Sequence, residues 1–130
     1  MRTRPGFWPI ETAPAAGFWE RIGFMEQIMS YADCVMFAPV YTLSVYKPYP
    51  AALEDVYRAL LWVRDHCEEY GCRQDQIFVI GESGGGLCAA LTILARDKKE
   101  INIAFQMPLF PQLDDRMQTE SANADCWIRA

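Results

Sequence analysis

Residues 76–96 read QIFVIGESGGGLCAALTILAR. Ile77 to Ile80 is apolar at every position, as a strand must be when both faces of a parallel sheet are covered. Leu87 to Ala95 continues as a helical pattern. Between the two, Gly81, Gly84, Gly85 and Gly86 surround Ser83. A strand that turns into a helix within about one residue forces the residue at the turn into a strained backbone conformation and leaves no room for side chains two positions either side. Glycine at 81 and 85 removes that clash, so G-x-S-x-G is read here as a nucleophile elbow. The turn lifts the Ser83 hydroxyl above the carboxyl ends of the strands, where ligands bind in open parallel sheets. The N–H of Gly84, at the start of the helix, then points toward the oxygen that becomes negative when an acyl group is attacked. Ser83 is the candidate nucleophile and Gly84 the candidate oxyanion donor. The bland alternative is a glycine-rich turn with a helix-capping serine. A phosphate or dinucleotide loop fits worse, because neither G-x-G-x-x-G nor a glycine-lysine-serine run is present.

Upstream, YPAALEDVYRALLWVRDHCEEYGC (residues 49–72) is the clearest helix. Pro50 sits where a first-turn proline is tolerated and Gly71 where a terminating glycine is expected. Ala52, Val56, Ala59, Leu60, Val63 and Cys67 fall on one stripe, with Glu54 and Arg58 four apart on the outer side. Further back, DCVMFAPVYTL (residues 33–43) is apolar on both faces and predicts a buried strand, with its end or a bulge near Pro39. Spacings of three and four among Phe18, Ile22, Met25, Ile28 and Met29 predict a helix over residues 15–31. Downstream, a strand is expected from Ile101 to about Leu109, followed by an irregular tail. Strands alternating with helices make this an α/β chain: a mainly parallel sheet of about three strands, with crossover helices on both faces.

The 130 residues suit one domain, and 52% hydrophobic content supplies ample core. Lys and Arg number 12 against 17 Asp and Glu, a formal charge of −5, with no basic cluster, so nucleic acid is not an expected partner. No apolar stretch approaches the roughly 18 residues that span a bilayer. The start, MRTRPGFWPI, lacks the apolar middle of a signal peptide. Cys34, Cys67, Cys72, Cys88 and Cys126 form an odd set without a C-x-x-C pair. Neither a disulfide framework nor a metal site is suggested, and the reading is of reduced thiols in a cytoplasmic protein. No cofactor is implied.

The residues carry a resemblance. GESGGG (81–86) matches G-[DE]-S-[AG]-G-G, YPAALEDVYRALLWVRDH (49–66) resembles a P-x-P-A-A-L-E-D helix, and MPLFPQLDDR (107–116) is similar to a YP-x-L-D-D-R segment. In that order the three cover about residues 33–121. They resemble the α/β-hydrolases of the hormone-sensitive lipase type, an esterase family. The resemblance implies a partial α/β-hydrolase fold, a small-molecule substrate of the short acyl ester class, and an acyl-enzyme on Ser83. The family also places an H-G-G-G loop ahead of the first helix. Here only Gly6, followed by Phe7, corresponds to its end, which makes Gly6 a second oxyanion candidate beside the simpler reading of a turn glycine after Pro5.

A serine hydrolase needs a base for the serine proton, usually a histidine oriented by a carboxylate. The single histidine, His66, lies near the end of the helix that returns to the amino edge of the sheet. A strand of five residues then separates it from Ser83, roughly 16 Å at about 3.3 Å per residue. His66 is therefore not expected to be the base. In the resembled family the acid and histidine come later in the chain. Asp114 and Asp115 follow the strand after the elbow helix, on the same edge as Ser83, yet QLDDR reads equally well as a turn with a salt-bridged cap. Glu82 is turned away from the exposed side of the serine and is expected to support the turn. Phe7, Trp8 and Tyr41 are candidates for an acyl pocket or for core packing.

Two readings of the chain follow. The first is a serine carboxylic-ester hydrolase whose triad Asp and His are absent from these residues, a single truncated domain inactive by itself. The second is a catalytically inactive truncated hydrolase that serves as a binding module or self-associates through an exposed sheet edge, since three strands leave apolar edges open. A serine peptidase or type-B carboxylesterase shares the elbow but lacks support from the flanking segments.

Overall fold

The computed structural model describes residues 4–11, 18–113, 116, 118 and 120. Among these residues four parallel strands and three α-helices alternate: β1 (Arg4–Glu11), α1 (Phe18–Tyr31), β2 (Val35–Met36), α2 (Ala51–His66), β3 (Cys72–Glu82), α3 (Leu87–Lys98) and β4 (Phe105–Leu109). The sheet order is β2-β1-β3-β4. From β1 the chain moves outward in one direction to β2, then crosses back to β3 and continues to β4. The order of winding therefore reverses between β1 and β3, the crevice at which open α/β sheets bind ligands. Right-handed crossovers place α1 on one face and α2 with α3 on the other.

Among the described residues the sheet has four strands, against the expected number of about three. RPGFWPIE forms β1, although Pro5, Gly6 and Pro9 read locally as a turn. Proline survives in this strand for two reasons. Pro5 lies at a register shift between Pro5 and Gly6, and β2 is so short that it pairs only with Gly6 and Phe7. Beyond Phe7 the strand has β3 alone as its described neighbour, so Pro9 sits on a stretch that is locally an edge.

The β2 strand is shorter than the expected run over residues 33–43. After Met36 the chain leaves the sheet, and the Thr42 N–H donates at 3.0 Å to Oδ2 of Asp55 on α2 rather than to a neighbouring strand. The described α1 begins at Phe18; residues 15–17 of the expected helix lie outside the described residues. The α2 helix runs into a 3-10 turn at Cys67–Tyr70 that ends at Gly71, whose φ of 75° is left-handed and suits glycine. Its Glu54 and Arg58 pair at 3.3 Å on the exposed side.

The core lies between β3 and the α2–α3 face. Val56, Tyr57, Leu60 and Val63 of α2 pack with Cys67, Cys72, Ile77 and Val79, and with Cys88, Leu91 and Ala95 of α3. Alternate residues of β3 serve the opposite face, where Ile80 is buried and Phe78 meets Phe105 edge-on at 5.9 Å. Both faces of β3 are thus apolar, as its unbroken run Ile77 to Ile80 requires. No helix among the described residues is long and apolar enough to cross a membrane.

Candidate functional site

The chain leaves β3 through Glu82, still extended at φ −107° and ψ 138°. At Ser83 the backbone flips to φ 58°, a left-handed conformation that a serine adopts only when its surroundings demand it. A 3-10 turn, Ser83–Gly86, follows and runs directly into α3. Ser83 is exposed, Gly84 half-buried, and Gly81, Gly85 and Gly86 are buried. The strand, strained serine and helix expected from the glycine pattern are therefore present. Gly81 is flanked in the sheet by Ile10 of β1 and Pro108 of β4. Glu82 pairs in register with Glu11 of β1, so the serine stands at the carboxyl ends of β1 and β3, where the winding reverses. No side chain caps the turn's amino end. Its first N–H groups, Gly84 included, remain the positive end of the Ser83–Lys98 helical run.

A contact invisible to local sequence patterns completes the turn. The Gln112 N–H donates at 2.8 Å to the Ser83 carbonyl. The Gln112 carbonyl rests against Gly86, where an added Cβ would fall 2.9 Å from its carbon and closer still to its oxygen. Residues 110–113 thus fold back over the turn, and Phe110 takes φ 34° to make the reversal. Sequence reasoning assigned no role to Gly86 or Gln112. The signal for Gly86 was the last glycine of G-[DE]-S-[AG]-G-G, one beyond what G-x-S-x-G asks for.

Other candidates lie elsewhere. His66 ends α2, its ring stacked on Trp62 at 4.4 Å with 11° between planes, and its Nδ1 lies 2.7 Å from the Trp62 carbonyl oxygen. The length of β3 separates it from Ser83, as the sequence placed it. Gly6, the second oxyanion candidate, falls in a strand and not in a loop. It lies within β1 opposite Val35 and Ile77, five positions before Glu11, or about 16 Å from the turn at ~3.3 Å per residue. Tyr41 is half-buried and packs against the core. Phe7 and Trp8 belong to β1, opposite Phe78 and Val79. Asp114 and Asp115 lie outside the described residues. Cys34, Cys67, Cys72 and Cys88 are buried. Burial pushes the Cys88 thiol up to about 12, so it offers no thiolate beside the serine. Among the described residues no group of three His, Cys, Asp or Glu could hold a metal.

With this geometry in view, the comparison with known proteins is decisive. Residues 6–129 match the family described as the alpha/beta hydrolase fold. The chain belongs to that α/β-hydrolase family. Among its curated relatives, Esterase LipI of Mycobacterium tuberculosis is 36% identical over 100 residues, covering 75% of this chain and 31% of LipI. The arylesterase of Saccharolobus solfataricus is 34% identical over 92 residues, covering 70% of this chain and 30% of the relative. The solved structure of a bacterial heroin esterase superposes with a TM-score of 0.76 at 31% identity, covering 92% of this chain and 39% of that one. This α/β-hydrolase chain thus spans under a third of the length of the curated relatives it matches.

Proposed function

We propose that this α/β-hydrolase chain carries the nucleophile of a carboxylic-ester hydrolase, with Ser83 as that nucleophile and the Gly84 N–H as an oxyanion donor. The observation that supports it most is the exposed Ser83 at φ 58° at the junction of strand and helix, where the winding reverses. Relatives named as esterases agree with the class. In the reaction, Ser83 Oγ forms a bond to the ester carbonyl carbon and the carbonyl electrons move onto its oxygen, which accepts a hydrogen bond from Gly84. Collapse breaks the bond to the alcohol, which leaves with the proton first held by Ser83. Water then cleaves the acyl-enzyme to acid and free serine. Short acyl esters are the substrates proposed. His66 takes no part, and the base and its acid lie outside the residues brought to Ser83.

The test treats the folded 130-residue chain with a fluorophosphonate probe and with p-nitrophenyl acetate. Covalent labelling at Ser83, absent in Ser83→Ala, with no sustained turnover, is the expected result. A folded chain that takes no label would remove Ser83 as nucleophile; turnover lost in Ser83→Ala would show that the chain supplies its own base.

A second reading rests on a separate observation. Among the described residues β4 pairs with β3 alone, and Phe105 (52% exposed), Phe110 (71%) and Leu113 (67%) stand open near that edge. An open edge with apolar neighbours favours self-association. A concentration-dependent mass in sedimentation, lowered by Phe105→Lys, would support this reading over a monomeric chain.

A further inference from the structure

The carbonyl that Gln112 holds and the N–H proposed to face the oxyanion belong to one peptide unit. Ser83 C=O and Gly84 N–H are its two ends. Among the described residues the cis peptide bond is Tyr49–Pro50, so the Ser83–Gly84 unit is trans, with its C=O and N–H pointing in opposite directions across a rigid plane. A hydrogen bond of 2.8 Å from Gln112 to that carbonyl therefore sets where the Gly84 N–H points. It also polarises the amide, which makes its N–H a better donor.

The surrounding residues make this contact a built feature. Gly86 leaves the space in which the Gln112 carbonyl rests, and any side chain there would displace residues 111–113. Phe110 adopts φ 34° to direct the chain back from β4. The ladder ends at the same level. The β3–β4 pairing runs on through Gly81↔Pro108 to Glu82↔Leu109, one residue short of Ser83. The Gln112 bond to the Ser83 carbonyl follows directly on that ladder.

We propose that the backbone N–H of Gln112 is a positioning group that fixes the Ser83–Gly84 peptide and aims the Gly84 N–H at the developing oxyanion. This rests on the reading of Ser83 as nucleophile. It assigns to the segment after β4 a part in catalysis that its side chains do not supply: the Gln112 side chain is exposed, and the work is done by its main chain.

The test replaces the amide at residue 112 with an ester, using the α-hydroxy analogue of glutamine in the assembled 130-residue chain. This deletes the N–H and leaves the side chain intact. Two readouts are followed: the amide resonance of Gly84 in ¹⁵N–¹H spectra, and the rate of fluorophosphonate labelling at Ser83. The Gly84 resonance should shift and labelling should slow by about tenfold, while Gln112→Ala, which keeps the N–H, should match the parent in both. An ester variant with an unmoved Gly84 resonance and the parent labelling rate would overturn the proposal. If the parent itself takes no label, the nucleophile reading fails separately and the Gly84 resonance decides alone. If the ester variant does not fold, hydrogen exchange in the parent decides. A Gln112 amide protected at least tenfold supports the contact, and exchange at the free-peptide rate overturns it.

Discussion

The Tyr57 hydroxyl on α2 donates to Oε2 of Glu100 at 2.6 Å, tying the middle of that helix to the loop between α3 and β4. Two further contacts converge there: an Arg64 guanidinium nitrogen donates to the Glu100 carbonyl at 2.8 Å, and the Lys98 ammonium lies 4.7 Å from the Tyr57 ring centroid. Tyr57 is buried while Glu100 is exposed, so removing the hydroxyl leaves its partner in water. Tyr57→Phe should therefore lower stability by only about 1 kcal/mol, read as a drop in the urea midpoint with unchanged slope.

Alkaline pH should weaken the fold through two buried acids. Burial, and then the carboxylate of Glu100, raise Tyr57 from 10.0 to about 12; burial alone raises Cys88 from 9.0 to about 12. Both groups hold their protons more tightly in the folded chain than in the unfolded one. Their contribution is complete below about pH 9 and is lost as pH climbs toward 12, because unfolding then releases protons. Urea midpoints should stay level up to about pH 9 and fall beyond it, with Cys88→Ala delaying the onset. A flat profile from pH 9 to 11 would contradict the burial of both groups.

At the acid side the informative residue is Asp55. Its carboxyl lies below the usual value because it interacts with the Thr42 hydroxyl and accepts the Thr42 N–H, with Arg58 and Lys47 adding smaller attractions against the opposing effect of burial. The stabilisation is present above about pH 4 and disappears as pH falls through the lowered folded value. Asp55→Ala should leave α2 in place but free the segment after β2, so the Thr42 amide should exchange with solvent several-fold faster, more sharply than amides of the core strand β3.

Gly86→Ala should be costly for a backbone reason. Its Cβ would collide with the Gln112 carbonyl, and a main-chain neighbour cannot turn aside as a side chain does. Overpacking of this kind destabilises by about 1–3 kcal/mol. The substitution should lower the thermal midpoint and also the reactivity of Ser83. The matching Gly23→Ala, where nothing lies within 4 Å, should leave Ser83 reactivity unchanged.

What the sequence discloses about this chain follows the range of the forces involved. β3, the serine turn, α3 and α2 were legible because each is set by neighbours in sequence: an unbroken apolar run, spaced glycines, a stripe at helical intervals. β1 was not, because its prolines argue locally against a strand and only pairing with β3 makes it one. β2 was overextended because Asp55, on the following helix, takes a hydrogen-bond donor that local patterning assigns to the sheet. In the site itself, Ser83 and its glycines were readable, whereas the hold of Gln112 on the turn joins main-chain atoms whose side chains carry no signal.

The single histidine supplies the sharpest check on the site. His66 looks chemically eligible as a base, but its ring lies flat on Trp62, its Nδ1 contacts the Trp62 carbonyl, and Tyr70 and Phe37 complete an aromatic group around Trp62. All of this is at the end of α2, with β3 still to be traversed before Ser83. His66→Ala should therefore cost a little stability through the lost stack, about 0.5–1.5 kcal/mol, and leave fluorophosphonate labelling of Ser83 within twofold of the parent. A tenfold loss of labelling with the fold intact would instead bring the histidine to the serine, which the position of His66 before the start of β3 and of Ser83 after its end forbids.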